Sequence, residues 1–257
     1  VNGRINKHSV SSLHPAEFCQ NGQAHIAAFL RVELTAEDVF ILHGGGENET
    51  GWFLLGKINL IADNLIASGE CEEMIIVSSA FAAPKELEDG TFVDKGFPEI
   101  MCNEIVPFID QKYRTIADRN YRAMAGLSAG GSMARQIAHG HPDCFANLGQ
   151  FSAGAGFSVA NISTVPGSFF LLPNGKMSQS DAPHYDELFS SPEHFNSTMK
   201  VTFITCGTDD PRHAYTEPQV KELIEKGYHL EYASYPGYHE WDVWRCSARD
   251  YMKRLFK

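Results

Sequence analysis

No apolar run in these 257 residues reaches the length needed to cross a bilayer, no Cys-x-x-Cys pair occurs, and positive charge is scarce. Each lack excludes something. Without a spanning segment the chain reads as a soluble protein with no membrane partner. The six cysteines, Cys19, Cys71, Cys102, Cys144, Cys206 and Cys246, are scattered and join no histidine cluster, so neither a metal site nor a dense disulfide framework is expected. Lys and Arg total 21 against 32 Asp and Glu, a formal charge of -11. That balance argues against a nucleic-acid partner and favours a neutral or cationic substrate over an anionic one.

What is present is ordinary for a globular protein: 43% hydrophobic and 21% charged residues in 28.5 kDa. No internal repeat or linker divides the chain, so a single α/β domain over residues 1–257 is expected, large enough to bury a sizeable core. Residues 1–38 are the least patterned part, with His25 to Leu34 open to either a strand or a short helix. From there the rhythm is regular. Val39 to Leu42 is a buried-strand run that ends in His43-Gly44-Gly45-Gly46, and Phe53 to Ser68 has helical spacing. Met74 to Ser79 is a second strand run, and Ala82 to Gly96 reads as a surface loop. Phe97 to Tyr113 looks helical, with a kink or restart at Pro107. Further strands are expected at Tyr121 to Ala125, Ala146 to Phe151, Val201 to Thr205 and His229 to Tyr235. Helices are expected from Ser132 to about Gly140, over roughly Glu217 to Lys226, and from Trp241 to Phe256. Strand-helix alternation of this kind implies a mostly parallel sheet covered on both faces, with functional residues at the carboxyl ends of strands.

Three candidate groups fall at those ends. Gly126-Leu127-Ser128-Ala129-Gly130 follows an apolar strand and opens a helix, which is the setting of a G-x-S-x-G nucleophile elbow. A bare motif of this kind is often only a Gly/Ser-rich loop; the strand before and the helix after favour the elbow. Asp209 and Asp210 follow the strand at Val201, and His239 follows the last strand. A serine hydroxyl is a poor nucleophile until a base removes its proton, and an aspartate fixes and stabilises the base, so the order Ser, Asp, His is that of α/β-hydrolases. Trp52, Trp241 and Trp244 are candidate substrate-binding aromatics, with a place in the core as the duller alternative. His8, His14, His139, His184 and His229 are read as plain surface or core histidines, and His43 as a residue shaping the glycine loop.

Taken together, His43 to Gly46 with Trp52 behind it, Tyr113-Arg114 before Ala117-Asp118-Arg119, Gly126 to Gly131, His141-Pro142, Cys206 to Asp210 and Gly237 to Trp241 resemble the esterase D-like α/β-hydrolases. Within that group the chain resembles the family 1 carbohydrate esterases, which include feruloyl esterase and acetylxylan esterase modules. The resemblance covers Val39 to the C-terminus. It implies an α/β-hydrolase fold and a serine esterase working without cofactor or metal. It places Ser128 as nucleophile, His239 as base, Asp210 ahead of Asp209 as the acid, and the amides of Ala129 and Gly45 as the oxyanion hole. It further implies feruloylated or acetylated hemicellulose or a small ester as substrate, a secreted protein, and a module of a larger multidomain glycanase. Acetylxylan esterase, acyltransferase and a non-catalytic carbohydrate-binding relative are the alternatives. Two departures stand out: Ala129 replaces the Met of most relatives, and the region before Val39 lacks the family's Pro-Gly-Tyr hairpin. Residues 157–200 break the strand-helix rhythm and are expected to form an insertion near the active site, folding over its mouth.

Overall fold

A computed structural model describes residues 36–81, 96–153, 185 and 187–257 in full, and six further strands by their backbone alone. Those six are β1 (Ser12–Phe18), β2 (His25–Leu30), β5 (Lys85–Glu86), β6 (Phe92–Val93), β9 (Ser168–Leu171) and β10 (Met177–Ser180). The remaining strands are β3 (Glu37–Leu42), β4 (Met74–Ser79), β7 (Arg122–Leu127), β8 (Asn147–Phe151), β11 (Val201–Gly207) and β12 (Glu231–Tyr235). The main sheet has eight strands in the order β1-β2-β4-β3-β7-β8-β11-β12. From β4 to β12 every neighbouring pair is parallel, while β1 and β2 add an antiparallel edge. His25 therefore opens a strand, which settles the ambiguity between strand and helix left by its sequence.

The parallel strands are apolar along nearly their whole length because both sheet faces are covered. Alternate residues go to opposite sides: Phe40, Leu42 and Met124 join one core, Val39, Ile41, Ala123 and Ala125 the other. The first core is closed by α3 (Phe97–Ile100), α4 (Val106–Lys112), α5 (Ala129–Gly140) and α7 (His213–Glu225). The second is closed by α1 (Gly51–Leu54), α2 (Ile58–Ser68) and α8 (Trp241–Met252). Between α3 and α4 the chain runs as a π-helical turn, Met101–Ile105. The restart expected at Pro107 is thus a widened turn, which accommodates a residue that donates no backbone N–H.

Three expectations need correcting. The helix read over Phe53 to Ser68 is two helices, because Lys57 takes a left-handed conformation at φ 54° and Gly56 lies against Trp52, where a Cβ would meet its carbonyl at 2.6 Å. The helix read from Glu217 begins at His213 and carries Pro218 inside it. The third concerns the insertion at 157–200. Most of its first part, and most of Ala82 to Gly96, lie outside the described residues, apart from the strand pairs β9–β10 and β5–β6. Its last part is core. Leu188, Phe189, Phe195 and Met199 are buried, and Phe195 belongs to helix α6 (Pro192–Thr198). Phe189 and Phe195 pack against His139 and Tyr228. At 1.5 Å per residue His139 is about 16 Å along α5 from Ser128, so this part stands at the foot of the helix and not over the site. Burial, aided by the charge of Arg135, pushes the His139 imidazole down to about 3, so it is a neutral core residue as expected.

Candidate active site

Ser128 links β7 to α5 at φ 53° and ψ −120°, a backbone conformation that costs roughly 1–3 kcal/mol and persists only where its surroundings enforce it. Here they do. Its N–H donates to Phe151 O at 2.8 Å, continuing the β7–β8 ladder by one step, and its carbonyl accepts the Ser132 N–H at 3.1 Å. The two motif glycines are required by close approach: a Cβ on Gly126 would lie 2.3 Å from Gly130 O, and one on Gly130 would lie 2.2 Å from His43 O. The strained turn therefore brings Ser128 against the loop after β3, and the elbow read from sequence is present.

That loop is held from below. Trp52 Nε1 donates to Leu42 O at 2.8 Å, closing the end of β3, and the Gly44 N–H donates to Glu47 Oε2 at 3.0 Å. His43 Nδ1 donates to Gly44 O at 2.8 Å, fixing its ring inside the turn as the structural reading of that residue anticipated. Gly45 comes to rest beside Ala129, with a Cβ built on it 4.0 Å from the Ala129 side chain. The two backbones expected to supply oxyanion donors are therefore adjacent.

The three side chains at the ends of β7, β11 and β12 meet. Ser128 Oγ donates to His239 Nε2 at 2.9 Å, and His239 Nδ1 donates to Asp210 Oδ2 at 2.6 Å. Asp210 is the buried carboxylate and Asp209 is exposed, so the partner of the histidine is Asp210. Burial works to raise the Asp210 carboxyl, but hydrogen bonds from His239 and from the Arg212 N–H, with both neighbouring charges, hold it down at about 2. It is ionised throughout the working range. Behind it, burial and that same carboxylate push the Cys206 thiol up to about 12, which keeps it neutral. Among the described residues no three His, Cys, Asp or Glu side chains are grouped to hold a metal ion.

The tryptophans are placed differently from the expectation. Trp52 is fully buried, and Trp244 is buried too; only Trp241 is partly exposed. They form a chain of edge-to-face contacts, Trp52 to Trp241 at 5.1 Å, Trp241 to Trp244 at 5.2 Å, and Trp244 to the His239 ring at 5.0 Å. Trp52 and Trp244 are therefore supports for the glycine loop and for the histidine rather than substrate-binding surfaces, since a ring closed in on all sides has no face left for a ligand. Two further residues also belong to the site: Glu47, which reads in sequence as a solvated side chain, and Arg212, which the sequence did not single out. Glu47 anchors the glycine loop, and Arg212 donates from its backbone N–H at 3.0 Å and its Nη1 at 3.2 Å to Asp210 Oδ1. The only signal for Arg212 was its place two residues after the aspartate.

The Esterase family model matches residues 28–252, most of the chain. The chain belongs to the Esterase family. This esterase is 39% identical over 119 residues to an endo-1,4-beta-xylanase/feruloyl esterase of Xylanibacter ruminicola, a match covering 45% of the chain and 16% of the relative. It is also 31% identical over 103 residues to endo-1,4-beta-xylanase Y of Acetivibrio thermocellus, covering 36% of the chain and 9% of that protein. The matched segments are thus small parts of both relatives. Among solved structures, a CE1 ferulic acid esterase of Anaeromyces mucronatus superposes with a TM-score of 0.73 at 18% identity, over 99% of this chain and 94% of the other. The fold of this member of the family is that of the α/β-hydrolases.

Proposed function

We propose that this esterase is a feruloyl esterase that releases hydroxycinnamic acids from arabinoxylan-type polysaccharide, working as the secreted, single-domain catalytic module of a larger glycanase. The observation that carries its chemistry is the unbroken hydrogen-bonded line from Ser128 through His239 to Asp210. In this reading Ser128 Oγ attacks the ester carbonyl as its proton passes to His239 Nε2, and Asp210 steadies the imidazolium. The amides of Ala129 and Gly45 receive the oxyanion. Collapse of the tetrahedral intermediate expels the sugar hydroxyl, which takes the proton from His239. Water then attacks the acyl-enzyme by the same route, with His239 again as base, and frees the acid. The choice of acyl group is supported by the feruloyl esterase named in the Xylanibacter ruminicola relative and by the likeness in fold to ferulic acid esterases.

The test is a comparison of purified protein on methyl ferulate, acetylated xylan and 4-nitrophenyl acetate, with feruloylated arabinoxylan as the polymeric substrate. Release of ferulate with kcat/KM at least tenfold above that for the acetyl esters is the expected result. Preference for acetylated xylan would overturn the acyl assignment, and preferential transfer to an added sugar would overturn hydrolysis.

A further inference from the structure

We infer that Arg212 is a positioning residue of the catalytic triad, one that locks the rotation of Asp210 and, through its charge, sets the pH at which His239 becomes available as a base. The inference rests on the triad reading above. Asp210 has two oxygens, and only Oδ2 faces the histidine. Oδ1 takes two N–H groups from a single residue, the Arg212 backbone at 3.0 Å and Nη1 at 3.2 Å. A carboxylate gripped at both oxygens cannot swing its plane away from the imidazole. The same Nη1 lies 3.4 Å from His239 Nδ1. That nitrogen already donates its proton to Asp210, so two donors face each other and the contact is not a hydrogen bond. What it brings is a fixed positive charge beside the ring that must itself turn positive when it takes the serine proton.

The placement of Arg212 is not explained by the helix it opens. It occupies the N-cap of the 13-residue α7, where its carbonyl accepts the Tyr215 and Thr216 N–H groups and the Thr216 hydroxyl. Helix N-caps favour Asn, Asp, Ser or Thr, and a cation at the positive end of the helix dipole is unfavourable. The anion that offsets this cost is Asp210. The Arg212 side chain, 43% exposed, lies at the edge of the triad rather than inside it. The histidine is otherwise surrounded by Ser128 after β7 and the uncharged Trp244 of α8. On its own turn stands Glu240, whose Oε1 takes the Tyr238 N–H, and the exposed Asp209 donates its N–H to Gly237 O. Arg212 is the one cation described in contact with the His239 ring, and it is therefore the group that weakens the hold of Asp210 on the imidazolium.

Arg212→Met removes the charge and the Nη1 contact while leaving the backbone to be supplied by Met. Asp210 is then uncompensated and the imidazolium better stabilised, so the acid limb of kcat/KM should move up by about 0.5–1 pH unit, allowing for solvent screening of a half-exposed group. With the carboxylate less firmly oriented, kcat should fall about tenfold on both 4-nitrophenyl acetate and methyl ferulate, with KM within about twofold. Arg212→Lys restores the charge without the fork, so its limb should stay within about 0.2 unit of the wild type while kcat drops to an intermediate value. Thermal melting checks folding, and Arg212→Gln replaces the Met variant if that one unfolds. An unmoved limb in the neutral variant would overturn the inference, as would a loss confined to KM for methyl ferulate, which would make Arg212 a substrate contact. Retained turnover in Ser128→Ala would instead bring down the nucleophile assignment on which the inference rests.

Discussion

Replacing Trp52 by Phe separates a support from a binding surface. The side chain is fully buried, its Nε1 is the donor to Leu42 O at 2.8 Å, and its ring packs on Trp241 and Phe151 at 5.1 and 6.0 Å. Phe keeps most of the ring packing but strands a buried carbonyl, at a cost of about 1–3 kcal/mol. The volume left by the missing ring adds about 1 kcal/mol. A total near 3 kcal/mol corresponds to a fall in melting temperature of roughly 6–12 °C for a domain of this size. The lost hydrogen bond also releases the end of β3 one residue before His43, so the Gly45 amide should drift and kcat should drop about 10–100-fold. Because the ring touches no substrate in this arrangement, the loss should be the same for methyl ferulate and 4-nitrophenyl acetate. The assay is scanning calorimetry together with kcat and KM on the two esters. An unchanged melting temperature with a selective rise in KM for methyl ferulate would refute the reasoning and return Trp52 to the substrate pocket.

Ser128→Ala should abolish turnover by about 10⁶-fold with an unchanged far-UV spectrum, since it deletes one oxygen from a half-buried turn; a tenth of wild-type activity would rule out Ser128 as nucleophile. Asp210→Asn should cut kcat by orders of magnitude and Asp209→Asn by no more than about twofold, read on either ester; equal losses would break the assignment drawn from the 2.6 Å contact. Because the Asp210 carboxyl is held at about 2 against an ordinary 3.8, its ionised form stabilises the fold fully above that ordinary value, and this contribution is lost as pH falls towards 2. Denaturant titrations should show the wild type losing stability over that window and Asp210→Asn losing less. Gly126→Ala should lower the melting temperature by roughly 5–10 °C and kcat by at least about tenfold, because its Cβ would press on the Gly130 backbone at 2.3 Å; a melting temperature within 2 °C of the wild type, by calorimetry, would mean that the elbow can yield.

The parts of the molecule that declared themselves in sequence are those governed by local rules. Val39 to Leu42 and Met74 to Ser79 are apolar because both sheet faces are covered, and that needs no distant partner to be seen. The Ser128 elbow was legible because the tight turn itself leaves Gly126 no room for a Cβ against Gly130, although the contact that requires Gly130, with His43 O, is a distant one. What was hidden depends on long-range partners. Helical spacing at Trp52 is the same whether its ring faces a pocket or meets Leu42 O, ten residues back, and Trp241 in the last helix. Phe189 fell within the stretch expected to fold over the site because its partners, His139 and Tyr228, lie about 40 or more residues away in each direction. Arg212 carried no periodicity at all. Its role follows only from Asp210 and His239 being in place, and a propensity-based reading would sooner have delayed the helix to Pro218.

The order of the strands has a thermal consequence. The turn that carries His239 follows β12, which is an edge strand of the sheet, is bonded among the described residues to β11 alone, and holds no fully buried residue. Ser128 and Asp210 leave β7 and β11, each flanked by strands on both sides. Edge segments open with less free energy than the interior that they cover, so warming should detach the base from an otherwise intact sheet. Catalysis would then fade, reversibly, at temperatures where calorimetry still records a folded protein.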